Sequence, residues 1–275
     1  MKSCSVEAFV LRMRPLGEAD RILTLFSAER GKVTAVAKGV RKTQSKFGAR
    51  LDFMARSALT LHAGRSLHVI TSARLISTAW ERVVEPEFYA LASYLAELID
   101  GLCEPDLAVP ELFELLSDFQ RATARFGPAI GSETTPSAKT ARTRALDALR
   151  VVMELRILNA LGFAPELDAC SRCGTPLGRR PFAGGKAALS PDAGGLVCRA
   201  CLARGSADED DTHRSFALVR LTIAEFEALR AARTASLEDA LANPALGSPA
   251  RATQAFLQHH LGRASKALAA AGGRR

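Results

Sequence analysis

The chain has 275 residues, 48% hydrophobic, 24% charged and 6% aromatic, enough for a buried core spread over two or three modules of roughly 100–200 residues or less. Its longest apolar runs fall far short of the ~20 residues needed to cross a bilayer, which excludes a membrane-spanning protein. The net charge is +8, but residues 1–80 hold 14 Lys/Arg against 5 Asp/Glu, so all of the excess sits in that segment. Basic residues confined in this way fit a surface that neutralises phosphates, with a merely solubilising face as the plainer alternative. The opening MKSCSVEAFVLRMRPLGEAD carries charges throughout and has no apolar signal core, so a cytoplasmic location is expected.

In chain order, residues 1–80 predict five short strands: VEAFVLRM, RILTLFS, KVTAVAKGV, ARSALTLH and SLHVITSARLI, each bounded by turn residues. Five strands in 80 residues fit a small barrel, of OB type first and SH3-like second. After Trp80 the period becomes helical. Helices are predicted from Pro86 and from Pro110, and again over 143–163, where Leu146, Leu149, Val152, Met153, Leu155 and Leu158 form an apolar stripe that Gly162 stops. The polar stretch 127–143 between them is expected to be a flexible loop. Beyond a cysteine-rich segment and the acidic run 208–211, read as a solvated linker, two or three more helices are predicted from about Ala217 to Ala270, before a frayed AAAGGRR tail. This makes an α+β multidomain chain: a barrel over 1–80, a helical domain over 81–165 and 205–275, and a metal module inserted at 166–204.

Cys170, Cys173, Cys198 and Cys201 form two Cys-x-x-Cys pairs separated by 24 residues. Two such knuckles offer four thiolates to one tetrahedral ion at ~2.3 Å, and zinc is the expected metal. Gly174 suits the tight turn of the first knuckle, and a small hairpin ahead of the second would absorb the gap. Four cysteines close the coordination shell, so the ion would be structural; a redox pair is the alternative. Cys4 and Cys103 are expected to be buried apolar residues.

Between Arg30 and Arg50 stand Arg30, Lys32, Lys38, Arg41, Lys42, Lys46 and Arg50, with no acidic residue. Alternation puts Lys32, Thr34 and Val36 on one strand face, with Lys38 continuing it. The loop over 39–50 would then drape its cations along a phosphate backbone, and Arg14, Arg21, Arg56, Arg65 and Arg74 would extend that surface. Phe47, inside the loop, is the candidate for base stacking. There is no G-x-x-x-x-G-K-[ST], G-x-G-x-x-G, H-E-x-x-H or G-x-S-x-G motif. The histidines, His213 among them, are scattered. An enzyme acting on nucleic acid would need carboxylates near the basic face, where only Glu7, Glu18 and Asp20 stand; a protein-binding adaptor is the third reading.

The run EAFVLRMRPLGEADRILTLFSAERGKVTAVAKGVRKTQSKF carries Gly17, Glu18, Asp20, Gly31, Lys32, Lys38, Gly39 and Ser45 in the order of the bacterial RecO recombination mediators. MELRILNALGFAPELDACSRCG and GGLVCRAC continue the likeness, so the chain resembles that family over nearly its whole length. The resemblance implies an OB barrel, a helical domain and one structural zinc ion. It also implies binding of single- and double-stranded DNA, annealing of complementary strands, and work with RecR to help RecA displace single-strand-binding protein, whose acidic C-terminal tail the family docks. DNA contact carries over to Lys32, Lys38, Arg41, Lys42 and Lys46, while Arg14 and Arg50 belong to the same expected surface. The protein is expected to be non-enzymatic, cytoplasmic and nucleoid-associated, without membrane contact.

Overall fold

The computed structural model describes residues 3–64, 66–78, 86–131, 135–178, 186–205 and 218–262. Arg65, Trp80, the acidic run 208–211, His213 and the AAAGGRR tail lie outside the described residues. Among the described residues no helix is long and apolar enough to cross a membrane. They fall into two compact units, one ending at Gly131 and the other beginning at Thr135. The first two helices thus belong with the barrel, and the third belongs with the cysteines.

In the first unit β1 (Ser3–Leu16), β2 (Asp20–Ser27), β3 (Gly31–Ala37), β4 (Arg56–His62) and β5 (His68–Ser77) close in the order β1-β2-β3-β5-β4. All pairs are antiparallel except β3 with β5, which meet at only two positions, Ala35 with His68 and Val36 with Val69. This is the OB arrangement. It rests on β1 serving two neighbours: Ser3 to Phe9 pair with β4 and Ala8 to Leu16 with β2. A register shift between Val10 and Arg12 supplies the bend.

Alternation fills the interior with Val6, Ala8, Val10, Leu23, Leu25, Val33, Ala35, Ala37, Leu59, Leu61 and Ile70. Phe47 and Leu51, from the β3–β4 connection, complete that core. Phe47 is 1% exposed, which corrects the expectation that it stacks on bases: a short basic loop has few apolar groups to bury, and the barrel takes this one. Phe9 faces outward onto Phe113 at a ring separation of 5.2 Å, and Arg56 lies over the Phe113 ring while pairing with Glu7.

α1 (Pro86–Leu102) and α2 (Pro110–Gly131) both begin at a proline, whose fixed φ suits a first turn. The segment joining them lies along β3. The Asp106 N–H donates to the Lys32 carbonyl at 2.9 Å, and Pro105 bridges to Lys32. Gly31, at φ +64, allows this approach, because a Cβ there would stand 1.8 Å from the Leu107 carbonyl oxygen.

The expected loop over 127–143 is corrected. α2 continues to Gly131 and α3 (Pro136–Ala160) starts with Thr135 as its cap, its hydroxyl accepting from the Ala138 N–H at 3.2 Å. Pro136 opens a helix here, and the polar 137–143 carry good helix formers on a solvated turn. From Ala145 to Leu158 almost every side chain of α3 is buried, so this is the central helix of the second unit, not a one-sided stripe. Glu154 is wholly buried on it, accepting from Arg150 at 3.2 Å and from the Thr253 hydroxyl. Around α3 lie α5 (Ile223–Ala232), α6 (Leu237–Ala242) and α7 (Ala250–Leu261), after a short α4 (Arg199–Gly205). α5 and α6 open on capping boxes, Thr222 with Glu225 and Ser236 with Asp239. A small sheet of order β7-β6-β8 joins β6 (Lys186–Ser190), β7 (Gly195–Leu196) and β8 (Val219–Thr222).

Gly31→Ala is expected to lower stability by about 3 kcal/mol or more, because strain at positive φ adds to a backbone collision. Gly17→Ala has a similar φ of +57 but nothing within 4 Å, and should cost about 1 kcal/mol. Urea midpoints of the two variants test the contrast; equal losses would show that the Leu107 approach adds nothing.

Candidate metal centre and nucleic-acid interface

The Sγ atoms of Cys170, Cys173, Cys198 and Cys201 all lie within 4.8 Å of one another. Tetrahedral bonds of about 2.3 Å require sulfur pairs about 3.8 Å apart, and Cys173 and Cys198 stand at 3.8 Å. The residues present therefore fit a four-thiolate metal site. Local backbone structure builds it. The Gly174 N–H donates to the Cys170 carbonyl at 2.8 Å, and Cys170 takes a second backbone bond from its own N–H to Thr175. Ahead of the second knuckle the β6–β7 hairpin delivers Cys198, whose N–H donates to Cys170 Sγ at 3.3 Å. Cys201 follows one turn into α4, with its N–H on Cys198 Sγ at 3.4 Å.

The same groups set the charge states of the thiols. The Thr175 hydroxyl, 3.2 Å away, and the Thr175 N–H hold Cys173 down at about 6. Burial works against a Cys170 thiolate, yet the N–H groups of Cys198, Cys173 and Arg172 outweigh it and keep this thiol below its ordinary value. Burial pushes Cys201 up to about 12, so this ligand needs a cation before it ionises. Outside the cluster, Asp168 pairs with Arg230 and Arg233 of α5 and its flank, both at 3.1 Å, which fixes the first knuckle to the helices of its unit. Cys103 is buried as expected, its thiol raised to about 11 chiefly by burial. Cys4 is only half-buried, with Arg30 at 3.9 Å from its sulfur.

On the barrel, strand register sets Arg14 opposite Ile22, Ile22 opposite Val36 and Arg21 opposite Ala37. The β1–β2 turn and the residues following β3 therefore share one end of the barrel. Three hydrogen bonds join them: Gly39 N–H to Asp20 Oδ1 at 2.7 Å, Arg41 N–H to the Ala19 carbonyl at 2.9 Å, and the Arg41 guanidinium to the Gly17 carbonyl at 3.0 Å. Lys38, Arg41, Lys42 and Arg14 are all exposed here, and the Lys38 and Lys42 ammonium groups meet no acceptor among the described residues. Farther along the connection, the exposed Lys46 donates to the Thr71 carbonyl at 2.9 Å, and the exposed Arg50 to the Lys46 carbonyl at 2.8 Å.

Lys32 has a different task. It does share the outer face of β3 with Thr34 and Val36, but its ammonium donates to the Asp100 carbonyl of α1 at 2.6 Å and the side chain is only 15% exposed. It ties a helix to the barrel. Nothing in the sequence around Lys32 marks Asp100 as its partner, 68 positions away. Asp20, read in the sequence as a carboxylate near the basic face, instead accepts from the Gly39 N–H; Thr175 is a site residue that sequence reasoning missed, although it stands two residues after a knuckle cysteine.

Comparison with known proteins bears on both sites. The family description "Recombination protein O N terminal" matches residues 1–79, and "Recombination protein O C terminal" matches residues 141–269. The DNA repair protein RecO of Frankia casuarinae is 37% identical over 265 residues, 95% of each chain. That of Heliobacterium modesticaldum is 35% identical over 206 residues, 75% of this chain and 68% of the relative. That of Desulfitobacterium hafniense is 33% identical over 200 residues, 73% of this chain and 65% of the relative. On these matches the chain, with its OB barrel, helical unit and four-cysteine cluster, belongs to the RecO family of DNA repair proteins.

Proposed function

We propose that this chain is a non-enzymatic recombination mediator: it holds single- and double-stranded DNA on its barrel, anneals complementary strands and, with RecR, helps load RecA onto DNA coated by single-strand-binding protein. The observation that carries this reading is the group of exposed cations, Arg14, Lys38, Arg41 and Lys42, gathered around one hydrogen-bonded turn. Lys46 and Arg50 extend it. Annealing asks for no bond-making by the protein. Two strands repel through their phosphates; cations that displace condensed counterions lower that repulsion and hold both strands at high local concentration while register is searched. Contacts of this kind are sequence-indifferent and sensitive to salt. The acidic tail of single-strand-binding protein is a second polyanion for such a protein to recognise, and a place at the nucleoid follows from the role.

The four cysteines would hold one zinc ion. Soft thiolates in a closed tetrahedral set suit zinc, which supplies cross-linking and leaves no open position for water or substrate. The chain's own contribution is to orient the ligands through the N–H groups on Cys170 and Cys198 and to dock the knuckle through Asp168.

Three outcomes are expected. Lys38→Glu with Lys42→Glu should weaken oligonucleotide binding at least tenfold and flatten the plot of log affinity against log salt by about 2, one for each lost phosphate contact; Lys32→Ala should lower the thermal midpoint and leave that slope unchanged. Purified protein should carry one zinc per chain by atomic spectroscopy, and chelation should lower the thermal midpoint by about 10 °C. Annealing of complementary oligonucleotides should accelerate without nucleotide or magnesium, both on naked strands and on strands coated with single-strand-binding protein. Acceleration on naked strands alone would remove the partner contact, and none at all would favour a protein-binding adaptor.

A further inference from the structure

We infer that Asp20 is a positioning residue for the nucleic-acid surface: its carboxylate, although negative within a basic patch, holds the cationic turn in the shape that meets phosphates. The inference rests on the reading of the barrel given above. Asp20 closes the β1–β2 turn at the start of β2, and its Oδ1 accepts from the Gly39 N–H at 2.7 Å. Gly39 sits at φ +68, a conformation that costs other residues strain, so the chain turns sharply there. Lys38 precedes the turn and Lys42 closes it, its N–H on the Gly39 carbonyl at 3.2 Å. Arg41 is drawn in the same direction by its two bonds to Ala19 and Gly17. The carboxylate therefore fixes the spacing between cations from two parts of the chain: Arg14 and Arg21 on the first hairpin, Lys38, Arg41 and Lys42 after β3. A charge-assisted bond to an amide is the strong kind, and without it the turn keeps only backbone contacts.

Electrostatics and positioning make opposite predictions, which lets an experiment separate them. Removing a negative charge from a surface that binds a polyanion should, by charge alone, tighten binding. If Asp20 acts by position, Asp20→Ala weakens it instead. Asp20→Asn keeps an oxygen that accepts from Gly39 while discarding the charge.

The test is titration of a labelled single-stranded oligonucleotide with full-length protein across a salt series. Asp20→Ala is expected to bind about fivefold more weakly with a shallower salt slope, and Asp20→Asn to bind as tightly as the unaltered chain or more tightly. Asp20→Ala binding as well as the parent, or better, would overturn the inference. Lys38→Glu with Lys42→Glu is run beside it: if charge reversal leaves binding intact, the barrel reading itself fails, whereas if only Asp20→Ala is without effect, the positioning role alone falls. Amide exchange in the unaltered protein guards against a variant that does not fold. Gly39 should be protected to a degree comparable with β2 and β3, and rapid exchange at Gly39 would overturn the inference.

Discussion

The barrel of this protein closes through an incomplete seam. β3 and β5 meet at two residue pairs, which leaves much of the outer edge of β3 without a strand partner. Unpaired backbone groups along a buried edge are costly, and the chain satisfies them from outside the sheet. At the start of β3 the Lys32 carbonyl is taken by Asp106 from the α1–α2 connection, through the gap left by the missing Gly31 side chain. Just past its end, the Gly39 N–H is taken by Asp20. The opposite fates of two lysines six residues apart follow: Lys32 stands where a helix must be fastened, Lys38 where the chain leaves the sheet and its side chain is free.

The five strands were legible in the sequence because each is bounded by turn residues and several alternate apolar with polar positions, although β2 does not. The OB order was not decided by alternation, since pairing between β1 and β4 brings together Ser3 and His62, and no local pattern encodes a partner 59 positions away. The four metal ligands were legible for the opposite reason: each pair acts within four residues, and only the hairpin between them is a longer-range matter. The expected loop over 127–143 is a helix over much of its length because polar composition does not outweigh helix propensity, and Pro136 begins a helix. β8, four residues long, has too few positions for any period to show.

Basic residues were harder to sort than cysteines. Composition located the cationic segment on the barrel, but it treated Lys32 and Lys38 on the strand face and Phe47 in the 39–50 loop alike as members of one binding surface. The structure separates them by what lies within reach: Asp100 for Lys32, solvent for Lys38, the barrel interior for Phe47. Residues that a family pattern shares need not be residues that touch a ligand. Gly17, Asp20, Gly31, Lys32 and Gly39 all belong to the run that resembles RecO, and each has an architectural task in this fold, whatever else it does.

β1 spends its two halves on different neighbours, and this has a consequence for biosynthesis. Its N-terminal run, Ser3 to Phe9, can be paired along its β4 side only when β4 has been made, and the seam can form only when β5 has followed. At roughly 5–20 residues per second, the ribosome leaves that run unprotected for several seconds. The α1–α2 connection that finishes the edge of β3 comes later still, with Pro105 and Asp106. The bend at Val10, by keeping the early strand irregular, makes it a poorer template for pairing with a strand from another nascent chain during that interval.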